Sequence, residues 1–129
     1  PKVITVGVPD TFPLIHTQRH PLNYSGRGPT RRMIQKPDVV APGSNIISCS
    51  LSYYGNNSGY TARSGTSMAT PIVSGACAVF LNKYPGLTNE DVKRCIQITA
   101  TDLRLPRNQQ GYGLLNLEAL MSAPESILS

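Results

Sequence analysis

Tryptophan is missing from this 129-residue chain, and aromatic residues make up only 6% of it. Acidic residues are also scarce, seven against twelve Lys and Arg, for a formal net charge of +5. Such a balance can indicate nucleic acid or an acidic surface as a partner. No Lys/Arg block interleaved with aromatics accompanies it, so the excess is read as that of a basic piece whose acidic complement lies elsewhere. No apolar run is long enough to span a bilayer, and no membrane or nucleic-acid partner is expected. The three cysteines, Cys49, Cys77 and Cys95, are odd in number and lack CxxC spacing, which argues against a disulfide framework and a zinc site. The two histidines, His16 and His20, fall in a polar Pro-rich stretch without a second pair of ligands, so no metal or cofactor is expected. The chain starts at Pro1, so the absence of a signal peptide says nothing about export.

What is present is turn chemistry and one modest core. Eleven Gly and eleven Pro punctuate a chain that is 40% hydrophobic, enough for one domain or part of one. Lys2 to Val8 is β-branched and nearly continuously apolar, as expected of a strand buried on both faces. Further strands are expected over Asp38 to Ala41, Asn45 to Leu51 and Tyr60 to Ser64. Pro42-Gly43 is a turn in which Gly43 can take positive φ. An apolar helix follows from about Ser67 to Lys83, of the kind that sits mid-domain, with Cys77 inside it and Pro71 at or just past its first turn. A second helix is capped by Thr88 and Asp91 and runs to about Thr99. It turns Val92, Cys95, Ile96 and Ile98 or Thr99 inward and carries an exposed Glu90–Arg94 pair. Arg104 to Gln110 is a polar loop, and a last helix covers Leu117 to Met121.

The chain centres on Gly65-Thr66-Ser67-Met68-Ala69-Thr70-Pro71, between the strand ending at Ser64 and the apolar helix. A serine at such a junction is exposed beside helical N–H groups that have no partner within the helix. Those donors and the positive helix end suit an oxyanion forming next to Ser67. Gly65 allows a sharp turn and close approach to a substrate backbone. A Thr-Ser pair at a helix start is, on its own, more often a plain N-cap.

The seven residues resemble the nucleophile motif of the subtilisin-like serine proteases, or subtilases, which read Gly-Thr-Ser-Met-Ala-Ser/Thr-Pro. Other stretches resemble the same family in its own order: Lys2 to Val8, Tyr24-Ser25-Gly26-Arg27-Gly28-Pro29-Thr30, Lys36 to Gly43, and Gly111-Tyr112-Gly113-Leu114-Leu115-Asn116. The resemblance implies an α/β fold, part of a three-layer sandwich with a mostly parallel sheet. It implies that residues 1–129 are the C-terminal half of a protease catalytic domain. Ser67 is the implied nucleophile, with its own N–H and the Thr66 hydroxyl at the oxyanion. The resemblance further implies that Gly65 and Tyr24 border the substrate and that Asp38 is structural, accepting from backbone donors near the turn.

Subtilase chemistry takes Asp, His and Ser in that chain order. The family's Asp-Thr/Ser-Gly and His-Gly-Thr motifs and its oxyanion asparagine are not found in this sequence. Asp10, His16 and Ser67 occur in the right order, but Thr-Gln follows His16 and Asp10 ends a strand that the family places elsewhere. An α/β-hydrolase arrangement fails because no histidine follows Ser67. The expectation is a serine endopeptidase that cleaves polypeptides through an acyl-enzyme when complete, inactive as this chain alone. It would be covered by an N-terminal half or by a second copy. The competing expectation is a pseudoprotease that only binds a partner. Family members are commonly secreted or surface-attached, which favours an extracellular setting, while unpaired cysteines leave an intracellular one open.

Overall fold

A computed structural model describes residues 2–9, 25–51, 59–122 and 127. Strands β1 (Val6–Gly7) and β2 (Val39–Val40) pair in parallel, Val6 opposite Val39 and Gly7 opposite Val40. Strands β3 (Ile46–Cys49) and β4 (Tyr60–Arg63) form an antiparallel pair, Ile46 opposite Arg63 and Cys49 opposite Tyr60. Among the described residues the helices are α1 (Thr66–Lys83), α2 (Asn89–Thr99), α3 (Arg107–Gln110) and α4 (Leu117–Ser122). Helix α1 packs against β1, α2 and α4, and α4 also touches α2.

The first strand is shorter than its apolar run suggests. Within Lys2 to Val8 only Gly7 and Val8 are buried, whereas Val3 is exposed. β2 decides the length, because its own neighbours stop at Thr5 and Gly7. The Thr5 carbonyl accepts from the Asp38 and Val39 N–H groups, and the Gly7 carbonyl from the Ala41 N–H. On the other edge of β2, Val40 donates to the Gly113 carbonyl and accepts from the Leu115 N–H, and Leu114 bridges on to Thr101. The Gly111-to-Asn116 stretch therefore extends the sheet that the two short strands begin.

The core is one cluster: Val8, Val39 and Ala41 below, Ala69, Val73 and Phe80 of α1 above, and Val92, Cys95, Ile96 and Leu120 at the side. Phe80 is fully buried and meets the Tyr84 ring edge-on, at 5.4 Å between centroids. Helix α1 is less enclosed than its composition predicts. Its buried residues, Ala69, Val73, Ala76 and Phe80, follow one stripe, while Val79 and Leu81 are exposed and Gly75 has open space around it. Cys77 is half-buried and Cys95 buried, and burial pushes both thiols above their ordinary range, with Asp91 adding to the rise at Cys95.

Helix α2 begins as expected. The Thr88 hydroxyl accepts from the Asp91 N–H at 3.2 Å, and the Asp91 carboxylate accepts from the Thr88 N–H at 3.0 Å. These bonds to Thr88 hold Asp91 below the usual carboxylate range. Val92, Cys95 and Ile96 face inward and Ile98 is exposed, so Thr99 closes the stripe. Among the described residues Glu90 and Arg94 form no ion pair, since both side chains lie in water.

The polar stretch after Arg104 is not an unstructured loop. It contains α3, held by the buried side chain of Gln110, which accepts from the Leu103 N–H and donates to the Asp102 carboxylate and the Leu105 carbonyl, all within 2.8 Å. A three-way amide anchor of this kind satisfies every bond a buried polar side chain needs. Among the described residues, no helix is long and apolar enough to cross a membrane, and no His/Cys/Asp/Glu group has metal-ligand placement.

Candidate active site

The start of α1 is built by three short segments. The Gly65 N–H donates to the Gly43 carbonyl at 2.7 Å, which fixes the turn before the helix to the Pro42-Gly43 loop. Ser64 accepts the Asn45 N–H on its hydroxyl at 2.9 Å, tying the same turn to the entry of β3. Gly43 is needed for closeness and not for a positive φ. A Cβ there would lie 2.3 Å from Val8 and 2.8 Å from the Gly65 carbonyl. Asn45, at φ 52°, takes the left-handed position in this connection instead.

Gly65 is the N-cap residue, with φ 148° and ψ 168°. This region of backbone space is essentially reserved for glycine. Space is not the reason, because the nearest atom to an added Cβ is the Met68 sulfur at 3.6 Å. The consequence is chemical. With glycine at the N-cap, no side chain caps α1, and no acidic residue lies in its first turn. The plain N-cap reading of Thr66-Ser67 therefore fails, since neither hydroxyl serves the helix end.

Thr66 and Ser67 are the first two helical residues. Met68 donates to the Gly65 carbonyl at 3.1 Å, while among the described residues the N–H groups of Thr66 and Ser67 reach no backbone acceptor. Ser67 is exposed, and no described partner holds its hydroxyl. Pro71 lies in the second turn, one turn beyond Ser67. Its missing N–H withdraws the donor that the Ser67 carbonyl would otherwise receive. Thr70 back-bonds its hydroxyl to the Thr66 carbonyl at 2.9 Å, which anchors the other carbonyl of this turn.

Ser67 opens onto a cleft of about 490 Å³ lined by Arg63, Ser64, Gly65, Thr66, Ser67 and Met68. Thr66 also lines a second hollow of about 400 Å³, with Thr5, Val6, Lys36 and the Gly26-to-Thr30 turn. Gly65, Thr66 and Ser67 are thus brought to one cleft. Tyr24, Asp10 and both histidines lie outside the described residues.

Asp38 stands apart from this cleft. It is 5% exposed and accepts from the Thr5 N–H at 2.7 Å, Lys36 Nζ at 2.7 Å and Gln97 at 3.3 Å, with Lys93 Nζ at 3.4 Å. Burial alone would raise its pKa. The hydrogen bonds from Lys36 and Thr5 and the charges of Lys93 and Lys36 outweigh it and hold the carboxylate below the usual range. Both lysines also reach the Val3 carbonyl. Asp38 is structural, but the backbone donor it satisfies, the Thr5 N–H, lies just before β1 and not in the Pro42-Gly43 turn. Gln97, Lys93 and Gln110 were not marked by the sequence, because an isolated polar residue on a helix normally faces water.

Comparison with known proteins gives one answer. The model of the subtilase family of peptidases matches residues 1–113. The serine protease AprX of Bacillus subtilis is 38% identical over 95% of this chain, which spans 30% of that protein. Subtilisin DY of Bacillus licheniformis is 43% identical over 64% of this chain and 28% of its own length. Among solved structures, fervidolysin from Fervidobacterium pennivorans superposes with a TM-score of 0.75 at 29% identity, covering 96% of this chain and 19% of that one. The CspB protease of Clostridium perfringens gives 0.71 at 33% identity, over 95% of this chain and 27% of its own. The chain thus spans less than a third of the length of each of these relatives.

Proposed function

The chain belongs to the subtilase family of serine proteases, and from that premise we propose that it carries the nucleophile of a serine endopeptidase, Ser67. The observation that carries the reading is the first turn of α1. A glycine takes the cap, so an exposed hydroxyl and two backbone N–H groups are left free at the mouth of one cleft.

In this reading the Ser67 Oγ attacks the scissile carbonyl carbon and its proton passes to a histidine base. The oxyanion that forms takes the Ser67 N–H and lies at the positive end of an 18-residue helix, with the Thr66 hydroxyl beside it. The leaving amine collects the proton from the base, and an acyl-enzyme ester on Ser67 remains. Water then hydrolyses that ester with the same base assisting. Gly65 gives the substrate backbone room to approach, and Tyr24 is assigned the border of the cleft.

The base, the aspartate that orients it and a second oxyanion donor are proposed to come from an N-terminal half that completes the domain. The open flank of α1, where Val79 is exposed beside Gly75, is the surface such a half, or a second copy, would cover. A serine without a base is a poor nucleophile, so the 129-residue chain by itself is expected to turn over no peptide ester. Ser67-dependent hydrolysis at an enzymatic rate by the purified chain would overturn that part of the proposal. A stable monomer in size-exclusion chromatography would count against the open flank being an interface.

A further inference from the structure

We propose that Arg63 selects an acidic side chain of the polypeptide substrate close to the scissile bond. The inference rests on Ser67 being the nucleophile. Arg63 is the last residue of β4, is exposed, and lines the same cleft as Ser67. It also lines a neighbouring hollow of about 540 Å³ on the hairpin, together with Ile46, Cys49, Leu51 and Met68. Arg63 and Met68 form the sill between the two hollows. A peptide leaving the nucleophile toward the hairpin crosses that sill. An extended chain advances about 3.3–3.6 Å per residue, so the side chain meeting Arg63 lies within about three residues of the bond cleaved.

The charges around the sill are of one sign. The acidic side chains among the described residues are Asp38, Glu90, Asp91, Asp102 and Glu118, and none lines either hollow. Asp38 is committed to Lys36 and Lys93, and Asp102 to Gln110 and the Arg104 N–H. Among the described residues no hydrogen bond or ion pair engages the Arg63 guanidinium. Lys36, in the hollow on the other side of Thr66, is not equivalent, because its ammonium is 2.7 Å from the Asp38 carboxylate. Arg63 is therefore a cation in the substrate cleft whose planar fork is unoccupied among the described residues. That fork matches a carboxylate in two parallel hydrogen bonds.

The pair would be partly in water, so its effect is modest and salt-sensitive. The test profiles cleavage by the full polypeptide that carries this chain. Peptides bearing Glu at each position around the scissile bond are compared with the same peptides bearing Gln. The expected ratio of kcat/KM, Glu over Gln, is about fivefold at one position at low salt and shrinks as salt rises. Arg63→Lys, which keeps the charge but not the fork, retains only part of the ratio, Arg63→Gln removes it and Arg63→Glu reverses it. If the protein cleaves in a Ser67-dependent way but these variants leave the ratio unchanged, the inference about Arg63 is overturned and the nucleophile stands. If cleavage survives Ser67→Ala, both are overturned.

Discussion

The two strand pairs of this molecule are opposites. β1 and β2 share only two residue pairs, yet Val39, Val40 and Ala41 are completely buried. β3 and β4 share four pairs in an unbroken antiparallel ladder, yet Ile47 is 73% exposed and Tyr60 59%. Ladder length and burial are therefore uncoupled. The parallel pair is held by side-chain packing beneath α1, the hairpin by its own backbone bonds. The candidate site lies where the two meet. The Gly65–Gly43 hydrogen bond ties the end of the hairpin to the loop leaving β2, so the buried region fixes the position of Ser67 while the exposed one shapes the cleft beside it.

The contrast breaks first at its packed side. Phe80→Ala opens a cavity at the centre of the core and is expected to cost about 3–5 kcal/mol, read from denaturant unfolding. Asp38→Asn comes next, at about 3 kcal/mol, because it leaves two lysines facing a neutral partner in a buried setting. It also carries a pH signature. The folded pKa of Asp38 lies below its unfolded value, so the unfolded chain binds the extra proton first as the solution is acidified. The stabilisation is complete above the unfolded value, near 3.8, and is lost as pH falls through the folded one. The Asp38→Asn variant should lack that portion of the slope in an acid titration of stability.

Gly65→Ala tests the junction, with an expected loss of about 1–3 kcal/mol from the strained φ alone. In the proposed completed domain it should lower activity more than stability, because Gly65 sets the entry of α1 and with it the place of Ser67. Ile47→Thr, on the exposed face of the hairpin, should change stability by no more than about 0.5 kcal/mol. An Ile47 effect as large as that of Phe80 would mean that the hairpin face is covered in solution, and the comparison would collapse.

Much of the framework was legible in the residues. Thr88 and Asp91 open α2 through bonds that depend only on near neighbours. The turn at the start of α1 was legible for the same reason, since Gly65, Thr66 and Ser67 sit next to each other in sequence. What escaped reading depends on distant partners. β1 ends where β2 stops bonding to it, not where its apolar run ends. Gly43 is a glycine because Val8 and Gly65 press on it. Gln110 holds α3 because Asp102, Leu103 and Leu105 converge on it, and no spacing announces that. The Glu90–Arg94 pair had suitable spacing but no desolvation to make it form.

Whether Ser67 is an activated nucleophile is read by labelling with a fluorophosphonate, which reacts only with an activated serine, followed by mass spectrometry of the modified peptide. The expected result is stoichiometric modification at Ser67 in the full polypeptide, none after Ser67→Ala, and negligible labelling of the 129-residue chain alone. Labelling of the full polypeptide at another serine, or equal labelling of the isolated chain at Ser67, would contradict it.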